Sequence, residues 1–592
     1  MSGRRPFPWG ECARLALLAV VAVLPRVLGL DADPPGNLHI HFITDEGWWA
    51  HNARQAALFG HWIMDDHNPP LWSTPAYSFL LWLVYKVAGV GLWQTRLLSG
   101  LAGVVTCFVV YGLVRREAAP RTAFLAALLL AVGYFPLTNN RVAFTESVQL
   151  AFAAVAILAA LRSRAAPAWG AASAAGLLLA LLSKPSAIPV GLVIGALYVT
   201  LLLEARHRPA ELAVRWRATL VFVATAAAGA ALLAILYLVP HWPAVLGEFR
   251  SNTLIATNPD QSTGGGLRVF LWYGFRAEPG TRNVLNGFFL QEAPLVLAVA
   301  LLAVARLLGR GRGPAGPLER ACWWWIGLTL AFLSIQSYQP DRRFLLLAPP
   351  FAILLASTTE AAAAGAGGPS RPRAWRWPAA GAVLAFTLGL YLRPWALPAL
   401  AAATRRLSVG ADRGLSQTGA LLLVWAAACA LAGLALLAWG RLAALRRVAL
   451  PGALLLAAVL AVDVARDAAY LGRLRYSVRD VSRELGRLAA QLPPGRRAVV
   501  GNTSDTLALE TGLFSFVIRD WGFARMYMNL DGLARFHPGL AVVTARRGEP
   551  VGGDEGFSTA GMRVVRVFDY WPDDAGHPRL RTTVYAPDDP GR

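Results

Sequence analysis

Charged side chains are scarce in this sequence. Asp, Glu, Lys and Arg together occupy 15% of the 592 positions, whereas hydrophobic residues occupy 56%. This balance excludes an ordinary soluble globular protein, in which about a quarter of the residues are charged. Apolar runs of membrane-spanning length recur between residues 13 and 466, and about 20 such residues cross a bilayer as one helix. The sequence therefore predicts a polytopic α-helical membrane protein.

Cysteine is also rare. All four cysteines lie within or beside apolar runs, and the polar C-terminal region has none. Neither a disulfide framework nor a zinc knuckle is indicated, because both need several cysteines in a characteristic spacing. The sequence also shows no internal repeat and no coiled-coil period. The four residues, which we expect to be small core side chains, are Cys12, Cys107, Cys322 and Cys429.

Lysine is nearly absent, since only Lys86 and Lys184 accompany the arginines among the 56 basic residues. A net charge of +21 can indicate a nucleic-acid partner. Here, however, the arginines cluster in short connectors between apolar runs, as the positive-inside rule expects of cytoplasmic loops. We therefore expect no nucleic-acid partner. The connectors are residues 115–116, 162–164, 206–217, 306–320, 371–376 and 441–447.

The predicted topology has about thirteen spans. Arg4 and Arg5 precede an apolar run without a clear cleavage site, so this run is predicted to be an uncleaved first helix. Residues 75–93, which carry Lys86, are expected to lie along the interface, because all the connectors are then cytoplasmic. The spans are residues 13–30, 98–114, 121–138, 142–161, 168–183, 185–203, 217–240, 292–308, 321–338, 343–360, 378–397, 417–439 and 448–466.

Two domains follow from this topology. Residues 1–466 are predicted to form the membrane domain, with extracytoplasmic loops at 31–93 and 241–292. Residues 467–592 are predicted to form a small extracytoplasmic α/β domain, because an amphipathic helix precedes several β-branched or aromatic runs. The expected location is a cytoplasmic membrane of the bacterial type. The predicted helix covers residues 478–492, and the predicted strands cover 498–500, 514–518, 540–544 and 564–568.

The first loop contains most of the chemistry-bearing side chains. Asp45 and Glu46 open an amphipathic segment beside the membrane, where an ionisable residue is costly unless it faces water, a partner or a site. Five of the nine histidines lie nearby. Such a cluster can hold a general base or a divalent metal, with His51 and His61 as candidate ligands, although no fixed metal-ligand spacing is present. The alternative is a polar loop whose histidines contact headgroups or water. The five are His39, His41, His51, His61 and His67.

Two further ionisable residues are predicted on the same side. Glu146 follows a short turn and either points into a polar cavity or is a helix-start carboxylate stabilised by the macrodipole. Lys184 lies in the turn between two closely connected spans. Its ammonium group can bind a lipid phosphate as a point charge, or it can extend to the interface.

The order of these motifs resembles glycosyltransferase family 39. This family has the GT-C fold and includes protein O-mannosyltransferases and the aminoarabinose transferase of lipid A. The resemblance covers roughly residues 10–360, and one departure is Thr74, where relatives often carry lysine. The motifs are Asp45-Glu46, Gly60-His61-Trp62, the proline-rich segment 69–75, Arg96-Leu97-Leu98-Ser99-Gly100, residues 141–146, Leu182-Ser183-Lys184-Pro185 and Asp341-Arg342-Arg343-Phe344.

The resemblance implies an inverting transferase that uses a polyprenyl-phosphate-linked sugar at the extracytoplasmic face. It implies that Asp45 is the catalytic base and that Glu146 is a second acidic residue. Glu46, next to Asp45, is expected to belong to the catalytic group as a supporting or metal-binding neighbour. Lys184 matches a position near the donor phosphate, with Arg342 or Arg343 as added positive charge. Lys86 or an arginine is then expected to replace the missing lysine.

Glycosyl transfer itself needs only a few kinds of side chain. Transfer from a lipid phosphate requires a base for the incoming hydroxyl and positive charge for the departing phosphate. The acceptor is expected to be a lipid, a glycan or a protein of the cell envelope, and membrane lipids surround the protein. The competing hypothesis is a transporter or lipid flippase, which predicts charges near the bilayer midplane and two related halves.

Overall fold

A computed structural model describes most of the chain. Helices and strands are numbered below in chain order within this described part. The described residues are 9–34, 41–65, 68–257, 288–307, 316–334, 341–363, 378–385, 387–388, 427, 429–432, 449–517, 537–546, 562–572 and 578–587.

The regular elements described in the first half of the chain are all helices. The first loop folds into three helices, and the membrane helices follow them. Their bounds are α1 Trp9–Val27, α2 His41–Phe59, α3 Pro69–Ser73, α4 Pro75–Ala88, α5 Leu92–Arg115, α6 Pro120–Val132, α7 Tyr134–Asn140, α8 Thr145–Arg162, α9 Trp169–Ser183, α10 Ile188–Ala205, α11 Pro209–Leu233 and α12 Trp242–Thr257.

The later membrane helices are α13 Phe288–Gln291, α14 Ala293–Leu307, α15 Pro317–Ser334, α16 Ala348–Ala363 and α17 Ala449–Leu471. Short 3-10 helices at Pro185–Ala187 and Asp341–Leu347 precede α10 and α16. A π-helical turn, Ala234–Leu238, extends α11.

Several helices are long and apolar enough to cross a membrane. Within the described part of the chain there are four, or five if α6 and α7 form one bent span. These helices identify an integral membrane protein. The predicted thirteen spans stay a prediction, because parts of several, including most of 417–439, lie outside the described residues. The four are Leu92–Arg115, Thr145–Arg162, Pro185–Ala205 and Pro209–Leu238.

One predicted span is broken. The run at 121–138 forms two helices, α6 and α7, that meet at Gly133 with a bend of 59°. The helix α4 is separate from α5, with positive φ at Gly89 between them. The helix α4 therefore ends before α5 begins, although residues 92 and 93 of the predicted interfacial segment belong to α5.

Small residues bring the membrane helices close together. A Cβ atom at Gly176 of α9 would lie 3.1 Å from the Cβ of Ala156 on α8. On the same contact, Ser173 donates a hydrogen bond of 2.9 Å to the carbonyl of Ala156. Such close backbone approach increases van der Waals contact between helices where lipid offers no hydrophobic driving force.

Ion pairs show which helix ends lie together. Glu11, at the start of α1, pairs with Arg115 at the end of α5 at 2.8 Å. Glu117, just after α5, pairs with Arg164 just after α8. The first two arginine-rich connectors therefore meet at one end of the helices, as alternating topology predicts. Which side of the membrane this end faces stays a prediction.

The tail contains a five-stranded sheet in the order β2-β1-β3-β5-β4. The pairs β1–β2 and β1–β3 are parallel, and the pairs β3–β5 and β4–β5 are antiparallel. The first four strands lie where the sequence predicts strands, and α18 lies where it predicts the amphipathic helix. The elements are α18 Ser477–Ala489, β1 Ala498–Gly501, α19 Ser504–Leu507, β2 Phe514–Val517, β3 Leu540–Arg546, β4 Met562–Pro572 and β5 Pro578–Pro587.

The tail packs directly on the first loop. The carboxylate of Asp33 accepts hydrogen bonds from the backbone N–H groups of Ser477 (2.9 Å) and Val478 (3.1 Å), at the start of α18. A carboxylate is favoured there because the first N–H groups of a helix have no partner within it. One apolar cluster contains side chains of both parts, such as Ala50 of α2 and Leu507 of α19. The tail and the first loop thus share a core.

Candidate active site

The site begins at Asp45, in the first half of α2. Its carboxylate lies 2.8 Å from the guanidinium of Arg342, which belongs to the 3-10 helix Asp341–Leu347. The Asp45 side chain is 16% exposed to solvent. The sequence places these two residues in separate motifs, and the fold brings them together.

Glu146 lies on the other side of the same guanidinium. Its Oε1 is 3.0 Å from Arg342 Nε and 3.0 Å from Lys184 Nζ. The hydroxyl of Thr145 donates to its other oxygen at 3.2 Å. Four of the predicted site residues therefore form a connected series, Asp45–Arg342–Glu146–Lys184, which we term the charge chain. Glu146 lies in the first turn of α8, as the helix-start alternative predicts, and it also contacts polar groups of two other elements.

Lys184 owes its position to a helix break. It ends α9 in an extended conformation (φ −163°, ψ 128°), and Pro185 then starts a 3-10 turn. Its ammonium group lies 4.2 Å from the ring centroid of Trp49. Trp49 follows Asp45 by four residues on α2, so both side chains lie on one helix face. Burial lowers the pKa of Lys184 to about 8; Glu146 opposes this shift, and the positive charges of Arg342 and Arg343 add to it.

Glu46 has a different environment from Asp45. It is fully buried and pairs in two places with Arg96 of α5, at 2.8 and 2.7 Å. The backbone N–H of Ala143 donates to it at 2.7 Å. Arg96 in turn donates to the carbonyls of Leu30 and Ala32. This environment favours a structural role for Glu46, and its expected catalytic role stays a prediction.

Lys86 is also placed away from the charge chain. It is exposed near the end of α4, and its ammonium group lies 5.8 Å from the ring centroid of Trp82. Thr74, which stands where relatives often have lysine, is buried and donates to the carbonyl of Pro70 at 2.9 Å. The geometry therefore does not support Lys86 as the replacement for the missing lysine.

His51 is buried between two carboxylates. Its Nε2 lies 3.0 Å from Asp65, and its Nδ1 lies 3.2 Å from Asp505 of the tail. Burial alone lowers the pKa of His51, but the charges of Asp505 and Asp65 outweigh it and raise the pKa to about 10. The two carboxylates thus favour the protonated ring, and metal binding would require that proton to leave.

The two expected metal ligands have different surroundings. His51 is buried, whereas His61 is exposed. Among the described residues, no group of three or more His, Cys, Asp or Glu side chains is arranged to hold a metal ion. His39 and His67 lie outside the described residues. A divalent metal stays a prediction.

Sequence reasoning missed several partners. Trp49 had a signal, since its spacing from Asp45 places it on the same helix face. Arg96 belongs to one of the motifs, but nothing in the sequence pairs it with Glu46. Asp505 had no signal, because it contacts α2 from a distant part of the chain. Asp505 reads as an ordinary loop or helix-cap residue in the sequence, yet it is buried against His51.

Comparison with known proteins supports the fold. The family model for dolichyl-phosphate-mannose-protein mannosyltransferase matches residues 69–240, which include Glu146 and Lys184. No curated protein sequence gives a significant match. The crystal structure of ArnT from Cupriavidus metallidurans bound to undecaprenyl phosphate overlaps 96% of this chain and 97% of that chain, with TM-score 0.52 and 17% identity.

A second ArnT structure, in the apo state, overlaps 97% of this chain and 98% of that chain, with TM-score 0.53 and 16% identity. The fold is of the GT-C type. The resemblance inferred from the sequence motifs is thus confirmed at the level of fold. At these identities the GT-C similarity establishes architecture, and the chemistry has to be argued from the residues of the charge chain.

Proposed function

We propose that this protein transfers a glycosyl group from a polyprenyl-phosphate-linked sugar to a hydroxyl of a cell-envelope acceptor, with inversion at the anomeric carbon. The observation that carries the proposal is the charge chain, in which a partly exposed carboxylate, Asp45, shares Arg342 with Glu146. Base and phosphate-binding groups thereby occur within one site.

The charges of the site suit a lipid phosphate. Arg342, Arg343 and Lys184 contribute three positive charges near two carboxylates, Asp45 and Glu146. A phosphodiester carries one negative charge and balances this set. When the sugar leaves, the phosphate becomes a monoester and gains charge, so cations fixed beside it stabilise the transition state. Guanidinium groups bind phosphate oxygens in pairs, and an ammonium group adds a point charge.

Asp45 is suited to be the base. When the donor phosphate engages Arg342, the contact between Arg342 and Asp45 weakens, and the carboxylate becomes available to the acceptor. The acceptor oxygen then bonds to the anomeric carbon as the bond from that carbon to the phosphate oxygen breaks. The acceptor proton passes to Asp45. Glu146 holds Lys184 and Arg342 in place during this exchange.

The lipids named for two of the matching proteins support a polyprenyl-phosphate donor. The ArnT crystal contains undecaprenyl phosphate, and the matching family model is named for dolichyl-phosphate-mannose. Both are polyprenyl phosphates. We propose that transfer occurs at the extracytoplasmic face of a cytoplasmic membrane of the bacterial type, to a lipid, glycan or protein acceptor.

Purified protein in lipid nanodiscs tests the proposal. It is incubated with a panel of polyprenyl-phosphate hexoses and pentoses and with membrane lipids, and product mass is measured. Asp45→Asn is expected to lower turnover by about 10²- to 10⁴-fold, the usual contribution of a general base, while donor binding and thermal stability persist. Asp480→Asn, at an exposed position in the tail, is the control.

Two results contradict parts of the proposal. Undiminished turnover by Asp45→Asn removes Asp45 from the base role. The absence of turnover and donor binding with every sugar, together with solute flux in vesicles, favours a transporter.

A further inference from the structure

The helix α2 contacts the tail through one face. Gly47, His51 and Arg54 are spaced by four and three residues, so they align on the helix; we term them the docking face. Asp45 and Trp49 lie on a different face, toward the charge chain. Because α2 is a single continuous helix, any movement of the docking face also moves Asp45.

The contact at Gly47 is very close. Its backbone N–H donates to the hydroxyl of Thr506 at 2.8 Å. A Cβ atom at Gly47 would lie 2.1 Å from the backbone nitrogen of Thr506. The short helix α19 therefore lies directly against α2, only two residues after Asp45, which is about 3 Å along the helix axis.

The next contact is the buried pair between His51 and Asp505, at 3.2 Å, with side chains 1% and 2% exposed. A pair buried this completely is costly to separate, because the Asp505 carboxylate is out of water and would lose the ring that faces it. Asp65 fixes the opposite side of the ring, so the imidazole has little freedom to turn.

Arg54 completes the docking face. Its Nη2 donates to the carbonyls of Ala508 (3.0 Å), Thr511 (2.8 Å) and Leu513 (2.8 Å), which lie at and beyond the end of α19. Three contacts along two turns of α2 thus hold it against the tail. They fix its rotation as well as its position.

We propose that Asp505 and Thr506 are positioning residues for the transfer reaction: they hold α2 so that Asp45 lies at the distance and angle that proton removal requires. This inference rests on the proposed function. A displacement of about 1 Å at a reacting group costs on the order of 100-fold in rate. The tail thereby contributes to catalysis without touching the substrate.

Kinetics of Asp505→Asn test the inference. The expected result is a fall in kcat of about 10- to 100-fold. The donor KM is expected to change less than kcat, because Lys184 and Arg342 lie outside α2 and are held by Glu146, so that only the weaker contact with Trp49 moves with the helix. Asp569→Asn is the matched control, since Asp569 forms an exposed pair with Arg581 in the same tail. A raised donor KM with unchanged kcat overturns the inference.

The conservative variant Thr506→Val provides a second test if Asp505→Asn folds poorly. It keeps the shape of the side chain and removes only the acceptor for Gly47. We expect the same fall in kcat, though smaller. Unchanged kcat in this variant overturns the role of Thr506.

Hydrogen exchange gives a readout that needs no turnover. Amide exchange across residues 48–55 is expected to accelerate in Asp505→Asn and to stay unchanged in Asp569→Asn. Equal exchange in both variants overturns the inference. If the unsubstituted protein transfers no sugar from any donor, the proposed function fails, while this comparison still decides whether Asp505 holds α2 in place.

Discussion

Asp45 and Glu46 are adjacent carboxylates on one helix, and they have opposite environments. Glu46 is fully buried, and its two oxygens receive Arg96 and the N–H of Ala143. Asp45 is partly exposed and shares Arg342 with Glu146. One residue along a helix is a rotation of about 100°, which is enough to point the two groups at different parts of the fold.

The comparison separates closed ion pairs from open ones. In the Glu46–Arg96 pair both carboxylate oxygens have protein partners, so this pair offers a substrate no group to replace. In the charge chain Arg342 divides its donors between two carboxylates, so an incoming phosphate can replace one of them. We infer that the closed pair stabilises the fold and that the open chain binds substrate.

The largest expected effect comes from opening the closed pair. Glu46→Gln leaves the guanidinium of Arg96 buried without its counter-charge, which costs about 3–5 kcal/mol. We expect a lower yield of folded protein and a lower melting temperature in detergent. Melting curves with size-exclusion chromatography measure both.

A double variant sharpens this prediction. Glu46→Gln combined with Arg96→Met removes both charges and is expected to recover part of the lost stability, because no uncompensated ion remains. A Glu46→Gln protein that melts like the unsubstituted one, yet transfers no sugar, contradicts the structural role and restores Glu46 as a catalytic candidate.

The sequence predicted the members of the charge chain but not their connections. Asp45, Glu146 and Lys184 were identifiable because ionisable residues beside apolar runs are rare and costly, and alternating topology placed them on one side. The closed state of Glu46 could not be predicted, since Arg96 lies 50 residues away. Local patterns carry no information on such pairings.

The same limit applies to the fold. Strands β1–β4 follow β-branched or aromatic runs and were predictable. Strand β5, Pro578–Pro587, begins with two arginines among its first four residues and was missed. It is held by neighbours on both sides, β3 and β4, so sheet pairing overrides its weak local signal.

The second prediction compares the only two lysines of the chain. Lys184 pairs with Glu146 within the charge chain, whereas Lys86 is exposed beside Trp82. Lys184→Gln is expected to weaken donor binding by about 10- to 100-fold, because hydrogen bonds to charged groups contribute about 1.5–3 kcal/mol. Lys86→Gln is expected to bind donor like the unsubstituted protein.

Titration with a fluorescent polyprenyl phosphate measures both lysine variants. Comparable losses of donor affinity in Lys184→Gln and Lys86→Gln would show that Lys86 reaches the phosphate in the donor complex. The distinction between the two lysines drawn from their surroundings would then be wrong.

The smallest expected effect concerns the ring beneath Lys184. A cation over an aromatic face gains about 0.5–2 kcal/mol, and more as water is excluded. Trp49→Leu keeps an apolar side chain but removes this attraction, so the ammonium group is held less firmly for the phosphate. We expect donor affinity to fall by about 2- to 30-fold in Trp49→Leu, and the affinity of Trp49→Phe to lie between those of Trp49→Leu and the unsubstituted protein.

The matched variant Trp82→Leu removes the same kind of contact from exposed Lys86 and is expected to leave donor affinity unchanged. Equal affinities for Trp49→Leu and Trp82→Leu in the titration would mean that the charge chain holds Lys184 without the ring, through Glu146 alone.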